Sequence, residues 1–142
     1  MKRLALSAIT IIISMITLSL PISGFCVEVP TTPLDVEGTD VEYRELLGVW
    51  KGSWGNTDSI FLIHKISAGK IFFTHAWGDE GKSAERDGEI KKEDDTFFFN
   101  YTTPAGMFSL SCKKGSTTMN GRRTDISKGK GSQVVGIFNK VK

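Results

Sequence analysis

The chain has 142 residues, enough for one ordinary domain, and its formal net charge of +2 excludes a strongly polyionic protein. Two cysteines are too few for a disulfide framework. No recognised nucleic-acid motif accompanies the basic residues, so nucleic acid is not an expected partner.

The first 26 residues read as an export signal. Lys2 and Arg3 form a positive start, Leu4 to Leu20 is apolar and uncharged, and Pro21, Ser23 and Gly24 supply breakers and small residues near a cut. Cleavage after Gly24 and cleavage after Cys26 both fit. An uncleaved membrane anchor is the competing expectation, since about 20 apolar residues span a bilayer. The bulky Phe25 disfavours lipid modification of Cys26. The expected compartment is therefore periplasmic or extracellular. Cys26 and Cys112 can pair only if cleavage precedes Cys26; otherwise Cys112 is a small buried hydrophobe on a strand.

Residues 27–40 carry Pro30, Pro33 and scattered acids without an apolar period, and read as an extended tether. Asp40 to Leu47 suits a short helical turn capped by Asp40 and stopped by Gly48. From there short runs rich in Ile, Phe, Val, Thr and Trp alternate with Gly, Asp, Asn and Lys, the rhythm of an all-β sandwich or barrel. The predicted strands are 48–54, 59–66, 70–77, 87–92, 96–101, 106–112, 116–122 and 133–141. A three-residue hairpin loop, Ser67-Ala68-Gly69, joins the second to the third. Two longer polar stretches, Gly78 to Arg86 and Arg123 to Ser132, are expected as mobile loops at the barrel ends. The first strand, Gly48-Val49-Trp50-Lys51-Gly52-Ser53-Trp54, sets both tryptophans on one face, with glycines beside them that leave room for the rings or for a close backbone crossing.

Consecutive strands joined by short turns form a meander, and about eight strands close a barrel around side chains or one small ligand. The expected fold is thus an all-β, antiparallel up-and-down meander barrel of about eight strands over residues 41–142, after a signal (1–26) and a tether (27–40). The helical turn followed by Gly48-Val49-Trp50 resembles the calycin group, the lipocalins and fatty-acid-binding proteins. The arginine that usually covers this tryptophan from the last strand has no clear counterpart, because Asn139, Lys140 and Lys142 stand there. The double Gly-x-Trp opening, with Ala76-Trp77-Gly78-Asp79, is also similar to uncharacterised barrel modules of exported bacterial proteins. That resemblance implies a fold and no activity.

Phe73, His75 and Trp77 alternate on one strand face. The loop at 67–69 places Phe61 opposite His75 and Ile63 opposite Phe73. With Trp54, the set Phe61, Phe73, His75 and Trp77 is the candidate ligand wall, apolar with one imidazole for a polar end. The competing expectation is that these side chains simply fill the barrel. His64 and His75 have opposite parity and sit roughly 10 Å apart at ~3.4 Å per residue, so no shared metal is expected. No nucleophile elbow or phosphate loop is present. No catalytic residue and no cofactor are therefore assigned.

Charge is uneven along the chain. Val27 to Leu110 holds 15 acids and 8 basic residues, whereas Ser111 to Lys142 holds one acid, Asp125, and eight basic residues. Cross-strand pairing can reunite these charges. The leading expectation is a non-enzymatic binding protein for a small apolar or amphipathic ligand. The alternative is a solid-cored interaction protein that meets an anionic envelope or host component, such as a membrane surface, through its basic C-terminal third, including Lys113, Lys114, Arg122 and Arg123.

Overall fold

A computed structural model describes residues 27–79, 81–126 and 131–142. The export-signal reading and Cys26 lie outside the described residues. The chain forms a short 3-10 helix, Val41–Leu46, and then eight strands: β1 (Gly48–Trp54), β2 (Thr57–Ser67), β3 (Lys70–Trp77), β4 (Lys82–Glu93), β5 (Thr96–Thr103), β6 (Gly106–Lys113), β7 (Thr118–Asp125) and β8 (Ser132–Lys140). Each pairs antiparallel with the next, and β8 pairs with β1, so the meander closes into a barrel. The fold class expected from the sequence is the one observed.

Trp50 and Trp54 both point inward, as their shared parity requires, and both are buried in the core. Gly52, between them, lets β8 cross closely: a Cβ there would lie 1.9 Å from the Ile137 carbonyl oxygen. The barrel interior from Trp50 upward is filled by Phe61, Ile63, Phe73, Phe97, Phe99, Leu110, Met119 and Phe138. The 3-10 helix plugs one end, burying Tyr43 and Leu46, with Leu47 just after it. Trp50 ties the plug to the wall, its Nε1–H donating to the Leu46 carbonyl at 2.9 Å. Lys140 covers the same indole, its Nζ 5.6 Å from the ring centroid while donating to the Glu45 carbonyl. A lysine thus stands over Trp50 where the sequence offered no arginine.

Several details correct the sequence reading. Asp40 makes no side-chain cap on the helix; its carboxylate accepts from the Ala68 N–H at 3.2 Å instead. Ser67 pairs with Lys70, so the β2–β3 loop has two residues, Ala68 and Gly69, both left-handed at φ 51° and 72°, which is the geometry of a type I′ hairpin. The β4 strand begins at Lys82, not at 87, because the segment taken for a loop pairs with β3 from Trp77↔Lys82 onward. It was hidden because its inward positions include Arg86 and Gly88, so no apolar alternation marks it. The second stretch taken for a loop is also shorter, since β7 runs to Asp125.

Residues 27–39 lie along the outside of the barrel. Val27 packs on Ile60 and Ala76, which explains why β2 and β3 carry apolar residues on their outer face. The β2–β3 ladder skips His64, passing from Ile63↔Phe73 to Lys65↔Phe72. The skipped His64 carbonyl accepts from the Asp35 N–H at 2.7 Å, and the Ile66 carbonyl accepts from the Asp40 N–H at 2.9 Å.

Candidate functional site

Strand direction alternates, so the β1–β2, β3–β4, β5–β6 and β7–β8 connections gather at the end opposite the helical plug. There the packing stops short of the rim. A cavity of about 240 Å³ remains, lined by Trp54, Ser59, His75, Trp77, Arg86, Phe108 and Arg123, with Thr57, Thr103, Pro104 and Ala105 at its edge. The β4–β5 ladder runs only from Glu93↔Thr96 to Glu89↔Asn100, so these two strands are unpaired toward this end, in the stretch that carries Arg86 and Tyr101.

Each wall has a local cause. Trp54 lies across two inward glycines on neighbouring strands. A Cβ at Gly121 would come within 2.4 Å of its ring, and one at Gly136 within 2.7 Å. Phe108 meets the indole edge-on with centroids 5.4 Å apart. His75 stacks on Phe61, paired with it across the β2–β3 ladder, at 4.5 Å and 15°. Trp77, two residues on, is 5.0 Å away on the outer side. Arg86 enters because it pairs with the inward Phe73, and Arg123 because it pairs with the inward Phe108.

The electrostatics follow from burial. Desolvation, aided by the charges of Arg86 and Arg123, lowers the His75 pKa to about 4, so the ring is neutral near pH 7. Desolvation likewise raises the Tyr101 pKa and keeps the phenol protonated. Tyr101 Oη lies 3.3 Å from His75 Nδ1. The arrangement that uses the phenol proton has Tyr101 donating to Nδ1, which places the imidazole proton on Nε2. Arg123 is held by Asp125, with Nε 3.0 Å from Oδ1 and Nη2 donating to Oδ2 at 3.2 Å. Asp125 is the only acid after Leu110.

The buried side-chain polar atoms without a partner among the described residues are Trp54 Nε1, Ser59 Oγ, His75 Nε2 and Arg86 Nε, while Arg123 Nε makes no well-directed hydrogen bond but lies in its ion pair with Asp125. All five belong to residues that line this cavity. Buried polar atoms are paired in the great majority of cases, so such a concentration in one place calls for an explanation.

Of the residues singled out in the sequence, Trp54, His75 and Trp77 come together on this cavity. Phe61 and Phe73 are fully buried in the core and do not line it; Phe61 supports the His75 ring from below. Arg86, Arg123, Ser59 and Phe108 were missed. Arg86 fell in a stretch taken for a loop, and Arg123 among residues taken for surface charge. The parity of Arg123 relative to Met119 was the available signal, since both lie on the inward face of β7.

His64 faces outward and pairs with Glu85 at 3.2 Å, away from His75. Among the described residues no group of three His, Cys, Asp or Glu side chains could hold a metal ion. Cys112 is a free, buried thiol whose pKa is pushed up to about 11 by burial, which makes it a poor nucleophile.

Comparisons with protein-family models, with curated proteins and with solved structures return no match. The functional reading therefore rests on the geometry alone.

Proposed function

We propose that the protein is a non-enzymatic binding module for a small, largely apolar ligand with a polar end. The ligand sits at the open end of the barrel against Trp54, His75, Trp77 and Phe108. The observation that carries this reading is the coincidence of one aromatic-walled cavity with four unpartnered polar atoms, on Trp54, Ser59, His75 and Arg86. His75, with its pKa lowered to about 4, is a weak base and Cys112 is an unactivated thiol, so the two offer no nucleophile–base pair, which favours binding over catalysis. The helical plug, the Gly48-Val49-Trp50 opening and the lysine over Trp50 support a calycin-like module. The signal pattern of residues 1–26 supports export to the periplasm or beyond.

Size restricts the ligand. A cavity of about 150 Å³ holds benzene, and drug-sized ligands take about 300 Å³ or more. At about 240 Å³ this one suits a ring with a short polar substituent. Phe61 and Phe73 close the floor against a long chain.

A thermal-shift screen with small amphiphiles, acids, alcohols and amines on rings and short chains, tests the reading. At least one class should raise the melting temperature, and Trp77→Ala, which removes a partly exposed side chain, should remain folded and lose at least tenfold in affinity. If the folded wild type responds to no member, the reading fails.

A second reading, an interaction surface for an anionic partner, draws on the outer face of β7 and β8, where Arg122 pairs with the exposed Val135. Arg123 takes no part in it, because it turns inward.

A further inference from the structure

The unpartnered atoms of the cavity share one chemical character. Trp54 Nε1 and Arg86 Nε can only donate, His75 Nε2 carries the ring proton when Tyr101 donates to Nδ1, and the Ser59 hydroxyl can donate. Among the described residues no aspartate or glutamate lines the cavity. The two guanidinium groups are not equivalent. Arg123 is charge-compensated by Asp125. Arg86 forms no ion pair with any described carboxylate, although its Nε is shut off from solvent. Arg86 as a whole is half-buried, and a cation whose inner edge is shut off from water gains from an anion bound beside it.

Resting on the binding reading above, we infer that the ligand's polar end is an anion, a carboxylate on a compact ring or short branched body, with Arg86 as its counter-charge. One uncompensated cation matches one negative charge, which favours a carboxylate over a doubly charged phosphate monoester. The planar fork of arginine suits the two carboxylate oxygens. Trp54 N–H, His75 N–H and Ser59 O–H are left to satisfy the remaining lone pairs. The aromatic walls of Trp54, Trp77 and Phe108 take the ring. The cavity volume sets the upper limit of the body.

Isothermal titration of the protein with benzoate, benzyl alcohol, phenyl phosphate and decanoate, in wild type, Arg86→Gln and Arg86→Lys, tests this. Benzoate should bind at least tenfold more tightly than benzyl alcohol, its neutral counterpart, and more tightly than phenyl phosphate or decanoate. Arg86→Gln should lose at least tenfold for benzoate and markedly less for benzyl alcohol, and Arg86→Lys should recover part of the loss. Equal binding of benzoate and benzyl alcohol overturns the anion assignment while leaving a binding module in place, and that comparison needs no variant. Undiminished benzoate affinity in folded Arg86→Gln overturns the role of Arg86. Tighter phenyl phosphate overturns the carboxylate, and tighter decanoate overturns the compact body. If none of the four binds the folded wild type, this inference and the reading beneath it fall together.

Discussion

His75 is a histidine kept neutral by its surroundings, and its neutrality has a measurable consequence. Phe61 covers one side of the ring, Tyr101 meets Nδ1, and the charges of Arg86 and Arg123 oppose protonation. The folded pKa is near 4 against an ordinary value of 6.5. Between those two values the unfolded chain binds a proton that the folded chain does not. Stability from this group is therefore complete above pH 6.5 and is lost as the pH falls toward 4, by about 3 kcal/mol in all. Melting curves taken from pH 7 to pH 4.5 should show this decline, and His75→Gln should flatten it. An unchanged decline in the variant would assign the effect to other groups. The role of His75 as a cavity wall was legible from its alternation with Phe73 and Trp77. Its partner Tyr101 was not drawn in, because the pairing across the barrel interior depends on strand tilt that no local pattern encodes.

At the scale of elements, the 3-10 helix shows how a short segment with no independent stability becomes fixed. Six residues cannot hold a helix alone in water. Here Leu46 is buried to 1 % exposure, and the Leu46 carbonyl receives the Trp50 indole N–H. Replacing Leu46 by Ala should cost about 3 kcal/mol, within the usual range for a buried leucine, as measured by denaturant unfolding. A loss under about 1 kcal/mol would mean that the plug is not part of the cooperative unit. The strands with apolar inner faces, β1, β3, β5 and β6, were readable to within one or two residues. By contrast, the first half of β4 was unreadable. Its inward positions hold Ala84, Arg86, which lines the cavity, and Gly88, where a Cβ would lie 2.4 Å from the Asn100 carbonyl oxygen, and these give no hydrophobic period. The element whose pattern failed carries a charged residue, Arg86, into the barrel, where a polar inward position breaks the apolar alternation.

At the scale of the whole molecule, one cylinder is divided into two halves. The half near the helix is packed solid with aromatic and branched side chains, and the half at the open end keeps a cavity. Closure of the sheet followed from eight short strands with tight turns, and so was visible in advance. Where packing would stop was not visible, because it depends on how Trp54 lies across Gly121 and Gly136, two residues about 70 and 80 positions away in sequence. The uneven distribution of charge along the chain was also only half legible. Much of it is surface charge, but Arg86 and Arg123, from either side of the change in charge balance at Leu110, meet in the same cavity.

The two indoles of β1 provide a direct test of this division, since Trp50 Nε1–H is spent on Leu46 in the solid half and Trp54 Nε1–H is unspent in the cavity. In a nitrogen–proton correlation spectrum, titration with benzoate should move the Trp54 indole resonance and leave that of Trp50 in place. A Trp54 signal that stays fixed at saturating benzoate, or a Trp50 signal that moves as far, would contradict a binding cavity confined to the open end.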